Sequence, residues 1–142
     1  MKTIGDITNK RREIYTVDQQ ESARSAAEKM RKWYVRAVCV TDQGNLVGIV
    51  SEWDFLTKVV AAGRDPETTN VQEIMTPDPH TTTPDASYAE CLVTMLGHDF
   101  QHLVVVTNSG ELRGTVALGD LLKIDKTERD EVIEFYERML KD

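Results

Sequence analysis

Apolar residues change their period several times along the 142-residue chain, and the changes occur twice in the same order. From Glu21 to Lys32, and again from Ser87 to Leu96, they recur at about 3.6 residues among good helix formers, which predicts two helices. Asp18 precedes the first and Pro84-Asp85-Ala86-Ser87 opens the second, as helix starts should. The period then shortens. Ala37 to Val40 and Leu103 to Val106 are short β-branched runs, each followed by a turn whose glycine, Gly44 or Gly110, supplies the φ freedom of a tight reversal. Second runs, Leu46 to Val50 and Leu112 to Val116, follow at hairpin distance. Ser51-Glu52-Trp53-Asp54 and Ala117-Leu118-Gly119-Asp120 then open further helices, expected over Phe55 to Ala62 and Leu121 to Lys123.

The repetition is metrical. Gly44 and Gly110, Gly48 and Gly114, and Asp54 and Asp120 are each 66 positions apart, whereas Ser22 and Ser87, and Met30 and Met95, are 65 apart. A one-residue slip therefore falls between the two blocks, where a loop absorbs it. A unit of about 60 residues buries too little apolar surface to stand comfortably alone, so two copies are expected to pack through their sheets about a pseudo-twofold axis. The expected class is α+β, a mixed α/β fold, with motif 1 over residues 1–63, a polar connector over 64–70, motif 2 over 71–124 and an amphipathic helix over 125–142. On that last helix Val132, Ile133, Tyr136, Met139 and Leu140 share a face. Two roles fit the face: packing on its own chain, or meeting a second subunit.

Charge narrows the function. With 17 Lys+Arg against 24 Asp+Glu, the net charge is -7 and the isoelectric point near 5.0, which argues against phosphate backbones or anionic membranes as partners. No apolar run approaches the roughly 20 residues of a spanning helix, and Met1 to Ile14 carries charges where a secretory signal would be apolar, so a cytoplasmic protein is expected. Cys39 and Cys91 sit among Val, Ala and Leu and read as small buried hydrophobes. His98 and His102 have a metal-compatible spacing but no third ligand nearby, so no metal is expected. Trp33, Tyr34 and Trp53 suit either stacking on a base or interface packing. No nucleophile, phosphate-binding glycine loop or acid–base pair is evident, and no catalysis is expected.

Val71-Gln-Glu-Ile-Met-Thr-Pro77, Thr81-Thr-Thr-Pro-Asp85, Phe100-Gln-His-Leu-Val-Val-Val106 and Gly114 to Asp120 carry a resemblance, as do Ile4-Gly-Asp-Ile7, Val35 to Val40 and Gly48 to Asp54. Across residues 4 to 124 the chain resembles the CBS-domain family, in particular the tandem pair called a Bateman module. The resemblance implies two clefts related by the pseudo-twofold, used to sense adenine nucleotides, and a homodimer forming a disc of four motifs. It also implies no catalytic cofactor and AMP, ADP or ATP as ligand; with no catalytic or transport domain accompanying the pair, output is expected through a separate regulated protein or through oligomer state.

The first cleft centres on Gly48-x-x-Ser51-x-x-Asp54. A carboxylate at Asp54 can accept from vicinal ribose hydroxyls, and Ser51 can donate to phosphate. The same pair also fits a helix-capping box, and both roles can coexist. By resemblance Arg36 reaches phosphate; Ala37 and Ile49 would floor the purine, joined, again by resemblance, by Met75 and Thr76 from the opening of the other copy. The second cleft would use Ile7, Thr8, His102, Leu103 and Asp120. There Ala117 replaces the hydroxyl and His102 stands where the first copy has Arg36, so weaker binding is expected. The competing expectation is an unliganded dimerisation and interaction scaffold.

Overall fold

The computed structural model describes residues 2–9, 13–98, 101–122 and 126–141. The ends of expected elements at Lys123, Ile124 and Asp142, and Phe100 of the second motif, lie outside the described residues. Contacts divide the chain into two compact units, Tyr15–Pro79 and the segment up to Ile14 together with that from His80 onward. The compact units thus cross the sequence repeats, because each repeat's opening turn is held by the body of the other.

In the unit Tyr15–Pro79, β1 (Thr16–Asp18) runs parallel to β2 (Ala37–Asp42), which pairs antiparallel with β3 (Asn45–Ser51), and β3 pairs antiparallel with β4 (Thr76–Pro77). Helix α2 (Ala23–Trp33) starts at Ser22, whose hydroxyl accepts from Ser25 N at 3.0 Å, and stops where Tyr34 turns left-handed at φ 55°. One face of the sheet, Val17, Val38, Val40 and Val50, packs on Ala23, Ala26 and Met30 of α2 and on Val59, Val71 and Ile74. Strand alternation places Ala37, Cys39, Ile49, Ser51 and Thr76 on the opposite face. Helix α3 (Glu52–Phe55) continues into a wider π-helical turn, Leu56–Val60, closed by Ala61 N donating to Leu56 O at 2.9 Å. The short helix α4 (Val71–Ile74) is tied in by Val71 N to Glu21 O, 2.9 Å, and Gln72 N to Gln19 O, 3.0 Å.

The other unit repeats this plan. Strand β5 (Thr81–Thr82) runs parallel to β6 (His102–Val106), and β6 pairs antiparallel with β7 (Leu112–Ala117). The opening turn α1 (Ile4–Thr8) docks through Ile4 N to Ala86 O, 2.9 Å, and Gly5 N to Pro84 O, 2.7 Å, the counterparts of the α4 contacts. Its core joins Ile4, Tyr88, Cys91, Met95, Leu103, Val105, Val116 and Leu121, from α5 (Tyr88–His98), the strands and α6 (Leu118–Leu122).

The last helix, α7 (Lys126–Lys141), lies along α5. It does so through Val132 and Phe135, which with Tyr88 and Ala89 line a cavity of about 130 Å³, whereas Ile133, Tyr136, Met139 and Leu140 are exposed. The five-residue apolar face expected from periodicity is therefore split, with Val132 turned inward beside Phe135 and the other four turned outward.

Register relocates the one-residue slip. Ala37 faces Ser51 and His102 faces Ala117; Gly48 faces Val40 and Gly114 faces Val105. The 65-residue offset thus persists through β2 and β6, and the extra residue sits in the second hairpin turn, between Val106 and its partner Leu112. That turn closes on itself through Thr107 N to Glu111 O, 2.9 Å.

Candidate functional site

The first-cleft residues all fall in the unit Tyr15–Pro79. Ser51 ends β3 in extended conformation (φ -120°, ψ 167°), and the chain turns directly into α3. The turn is fixed by Asp54: Ser51 N donates to Asp54 Oδ2 at 2.8 Å and Ser51 Oγ donates to the same oxygen at 3.2 Å. The capping interaction anticipated for this pair is present, and it holds Asp54, only 6% exposed, at the end of the strand face. The other oxygen, Oδ1, lies 3.0 Å from Lys58 Nζ, which also donates to Ile74 O at 3.0 Å.

Register assembles the remaining members. Ala37 faces Ser51, and Ile49 faces both Cys39 and Thr76, so three strands contribute to one face. Ala37 is buried, Ile49 and Met75 are half-buried and Thr76 is exposed. β4 can approach because Gly48 has no side chain: a Cβ there would lie 2.6 Å from Met75 Sδ and 2.9 Å from Thr76 O. Arg36 is exposed, and its carbonyl accepts from Glu52 N at 2.9 Å, which fixes its backbone beside the start of α3. It also borders an open groove of about 420 Å³ between α2 and α3, floored by Met30, Val35 and Phe55. None of the other expected first-cleft residues lines that groove.

The equivalent site in the other unit retains part of this arrangement. Ala117 N donates to Asp120 Oδ2 at 2.8 Å, reproducing the backbone arm of the Ser51–Asp54 contact without the hydroxyl. Thr8 is buried and donates to Ile4 O at 3.4 Å; Ile7 packs against the core. Two expectations change. His102 occupies the position of Ala37, since each faces the last residue of the following strand, and the counterpart of Arg36 is Gln101. The backbone agrees, because Gln101 O accepts from Leu118 N at 2.8 Å as Arg36 O accepts from Glu52 N. Leu103, 1% exposed, belongs to the hydrophobic core, one strand step from His102 and therefore on the opposite face.

Other candidates separate cleanly. Trp33 stacks on Tyr15 with ring centroids 4.7 Å apart, while Tyr34 and Trp53 are 95% and 67% exposed. Cys39 and Cys91 are free and buried, and burial pushes the Cys39 thiol up to about 12. His98 faces His80 at 5.0 Å between ring centroids, and among the described residues no group of three or more metal-binding side chains is arranged around a point. Sequence reading missed Lys58, although Asp54 and Lys58 at i and i+4 on an expected helix are the spacing of an ion pair.

Residues 4–61 and 71–126 each match the CBS domain, and the chain belongs to the CBS-domain family. It is 32% identical over 109 residues to the CBS domain-containing protein YhcV of Bacillus subtilis, covering 77% of this chain and 76% of that protein. Among solved structures, a putative signal-transduction protein with CBS domains from Burkholderia ambifaria is 34% identical with a TM-score of 0.81, over 85% of this chain and 91% of that one. CBSX2 in complex with AMP is 25% identical with a TM-score of 0.71, over 87% and 95%. The chain spans 71% of an uncharacterized protein of Methanopyrus kandleri, but 22% of the Arabidopsis thaliana protein CBSCBSPB5. Among the described residues no helix is long and apolar enough to cross a membrane.

Proposed function

We propose that this CBS pair is a non-catalytic regulatory module of the cytoplasm that takes an adenosine-containing nucleotide of the AMP, ADP or ATP class and signals its presence to a partner protein. The observation that carries the proposal is the single strand face of Ala37, Ile49, Ser51 and Thr76 with the Asp54 carboxylate fixed at its end. The AMP complex of the related CBSX2 supports the choice of ligand. In this cleft Ala37, Ile49 and Met75 offer apolar contact to the purine, and Asp54 accepts from the ribose hydroxyls. Ser51 Oγ, the longer of the two Ser51 contacts to Asp54, rotates away to donate to a phosphate oxygen, and Arg36 meets the phosphate from the rim. The second cleft, lined by Ile7, Thr8, His102 and Asp120, binds phosphorylated ligands more weakly: Ala117 has no hydroxyl, and Gln101 brings no charge to the place of Arg36. A partner responds only as far as it distinguishes the bound from the free form.

Titration calorimetry of ligand-stripped protein with AMP, ATP and S-adenosylmethionine tests this. One site per chain is expected, weakened in Asp54→Ala by about 1.5–3 kcal/mol, the worth of charged hydrogen bonds. Unchanged affinity in a folded Asp54→Ala variant rules out the placement.

A second reading, a dimerisation scaffold without ligand, draws on Trp53, Leu56 and Val60, exposed at 67%, 52% and 72% at helical spacing along α3 and its π turn. Absence of heat with all three ligands, together with a homodimer that Trp53→Glu dissociates, favours it.

A further inference from the structure

Asp54 is more fully engaged than a ribose anchor can be while it binds. Its Oδ2 accepts two hydrogen bonds from Ser51, and its Oδ1 is paired with Lys58 Nζ at 3.0 Å. A carboxylate offers about four acceptor positions, and a vicinal diol needs two of them. The release of Ser51 Oγ toward phosphate opens one position on Oδ2; the other open position is on Oδ1, where the second hydroxyl must share a side chain only 8% exposed with the ammonium already seated against that oxygen. Lys58 has a second anchor, the carbonyl of Ile74 at 3.0 Å, immediately before Met75 and Thr76. The ammonium therefore links the carboxylate to the backbone that leads into the cleft's floor. The lysine side chain is 42% exposed against 8% for the carboxylate, so water can take up the ammonium when it leaves Asp54.

We infer that Lys58 competes with the ribose for Oδ1 of Asp54, so that a ligand carrying a 2′,3′-diol displaces the ammonium and at the same stroke frees Ile74 O, whereas a ligand without the diol leaves the link intact. This rests on the nucleotide cleft proposed above and adds to it a specificity-determining residue and a coupling between ribose recognition and the α4–β4 segment. The Asp54–Lys58 spacing does not recur in the second repeat, where the residue four positions after Asp120 is Ile124.

The test is titration of wild type, Lys58→Met and Lys58→Gln with AMP and with 2′,3′-dideoxy-AMP, the Gln variant serving where Met impairs folding. Removing the competitor should tighten AMP by roughly threefold to fivefold, the reach of a half-exposed ion pair, and leave the dideoxy ligand unchanged. An unchanged or weakened AMP affinity, or an equal change for both ligands, overturns the role of Lys58 while the cleft stands. If wild type and variants bind neither nucleotide, the cleft itself falls and this inference with it.

Discussion

Replacing Gly48 by alanine places a methyl group where the structure has no room for it. The new Cβ would lie 2.6 Å from Met75 Sδ, 3.0 Å from Met75 Cγ and 2.9 Å from Thr76 O. The Met75 side chain can rotate away, but the Thr76 carbonyl belongs to β4, held by the pairs Gly48–Pro77 and Ile49–Thr76. Relieving that contact requires β4 to move by about half an ångström, an overpacking cost of about 1–3 kcal/mol. For a chain of this size the thermal midpoint should fall by roughly 3–10 °C. In the nucleotide cleft proposed above Met75 and Thr76 contribute to the floor, and on that proposal nucleotide affinity should fall as well. Gly114, at the same place in the second repeat, separates the two effects: it has φ +127°, and a Cβ added there would meet no atom within 4 Å. Its alanine variant should lose stability through backbone strain, about 1–3 kcal/mol, and keep the first cleft's affinity. Thermal scanning and calorimetry on both variants give the comparison. A Gly48→Ala protein with wild-type midpoint and wild-type affinity would refute the close approach of β4 and the floor built on it.

Two titrating groups give further tests. Burial pushes the Cys39 thiol from 9.0 up to about 12, so the stability it confers is intact below pH 9 and is lost as pH rises toward 12, where the unfolded chain ionises first. Cys39→Ala should flatten that alkaline decline in urea-denaturation midpoints, and an identical decline in the variant would exclude Cys39 as its source. Glu21 behaves oppositely: burial alone would raise its carboxyl, but Lys29, the Asp18 N–H and the Ser25 hydroxyl together hold it below its ordinary 4.5. Its contribution is present above pH 4.5 and lost as pH falls through the depressed value, so Glu21→Gln should be less stable at neutral pH with a shallower acid limb. Parallel acid limbs in the two proteins would contradict that assignment.

The sequence by itself determined the elements whose signals are local. Period and turn glycines located α2, α5 and the hairpins β2–β3 and β6–β7, since an amphipathic stripe or a positive φ is written in neighbouring residues; Gly44 and Gly110 indeed have φ 84° and 88°, whereas the start expected at Asp18 belongs to β1 and Ser22 caps α2. The Ser51-x-x-Asp54 pair was legible for the same reason, being both a cap and a candidate ribose site within four residues. Only the tertiary structure decided what depends on distant partners. Strands β1, β4 and β5, two or three residues long, have no period to display and exist because a neighbouring strand pairs with them. The equivalence of His102 with Ala37, and of Gln101 with Arg36, required the strand register, because an extra residue hidden in the second turn shifts the alignment by one and a one-residue shift exchanges the faces of a strand. For that reason Leu103 lies in the core. Lys58 gained its meaning from Ile74, sixteen residues away in sequence, whose carbonyl meets the same ammonium as Asp54. Short-range pattern fixes which element forms; which side chains meet is settled by pairing and packing across the fold, where the energies of register and burial are decided.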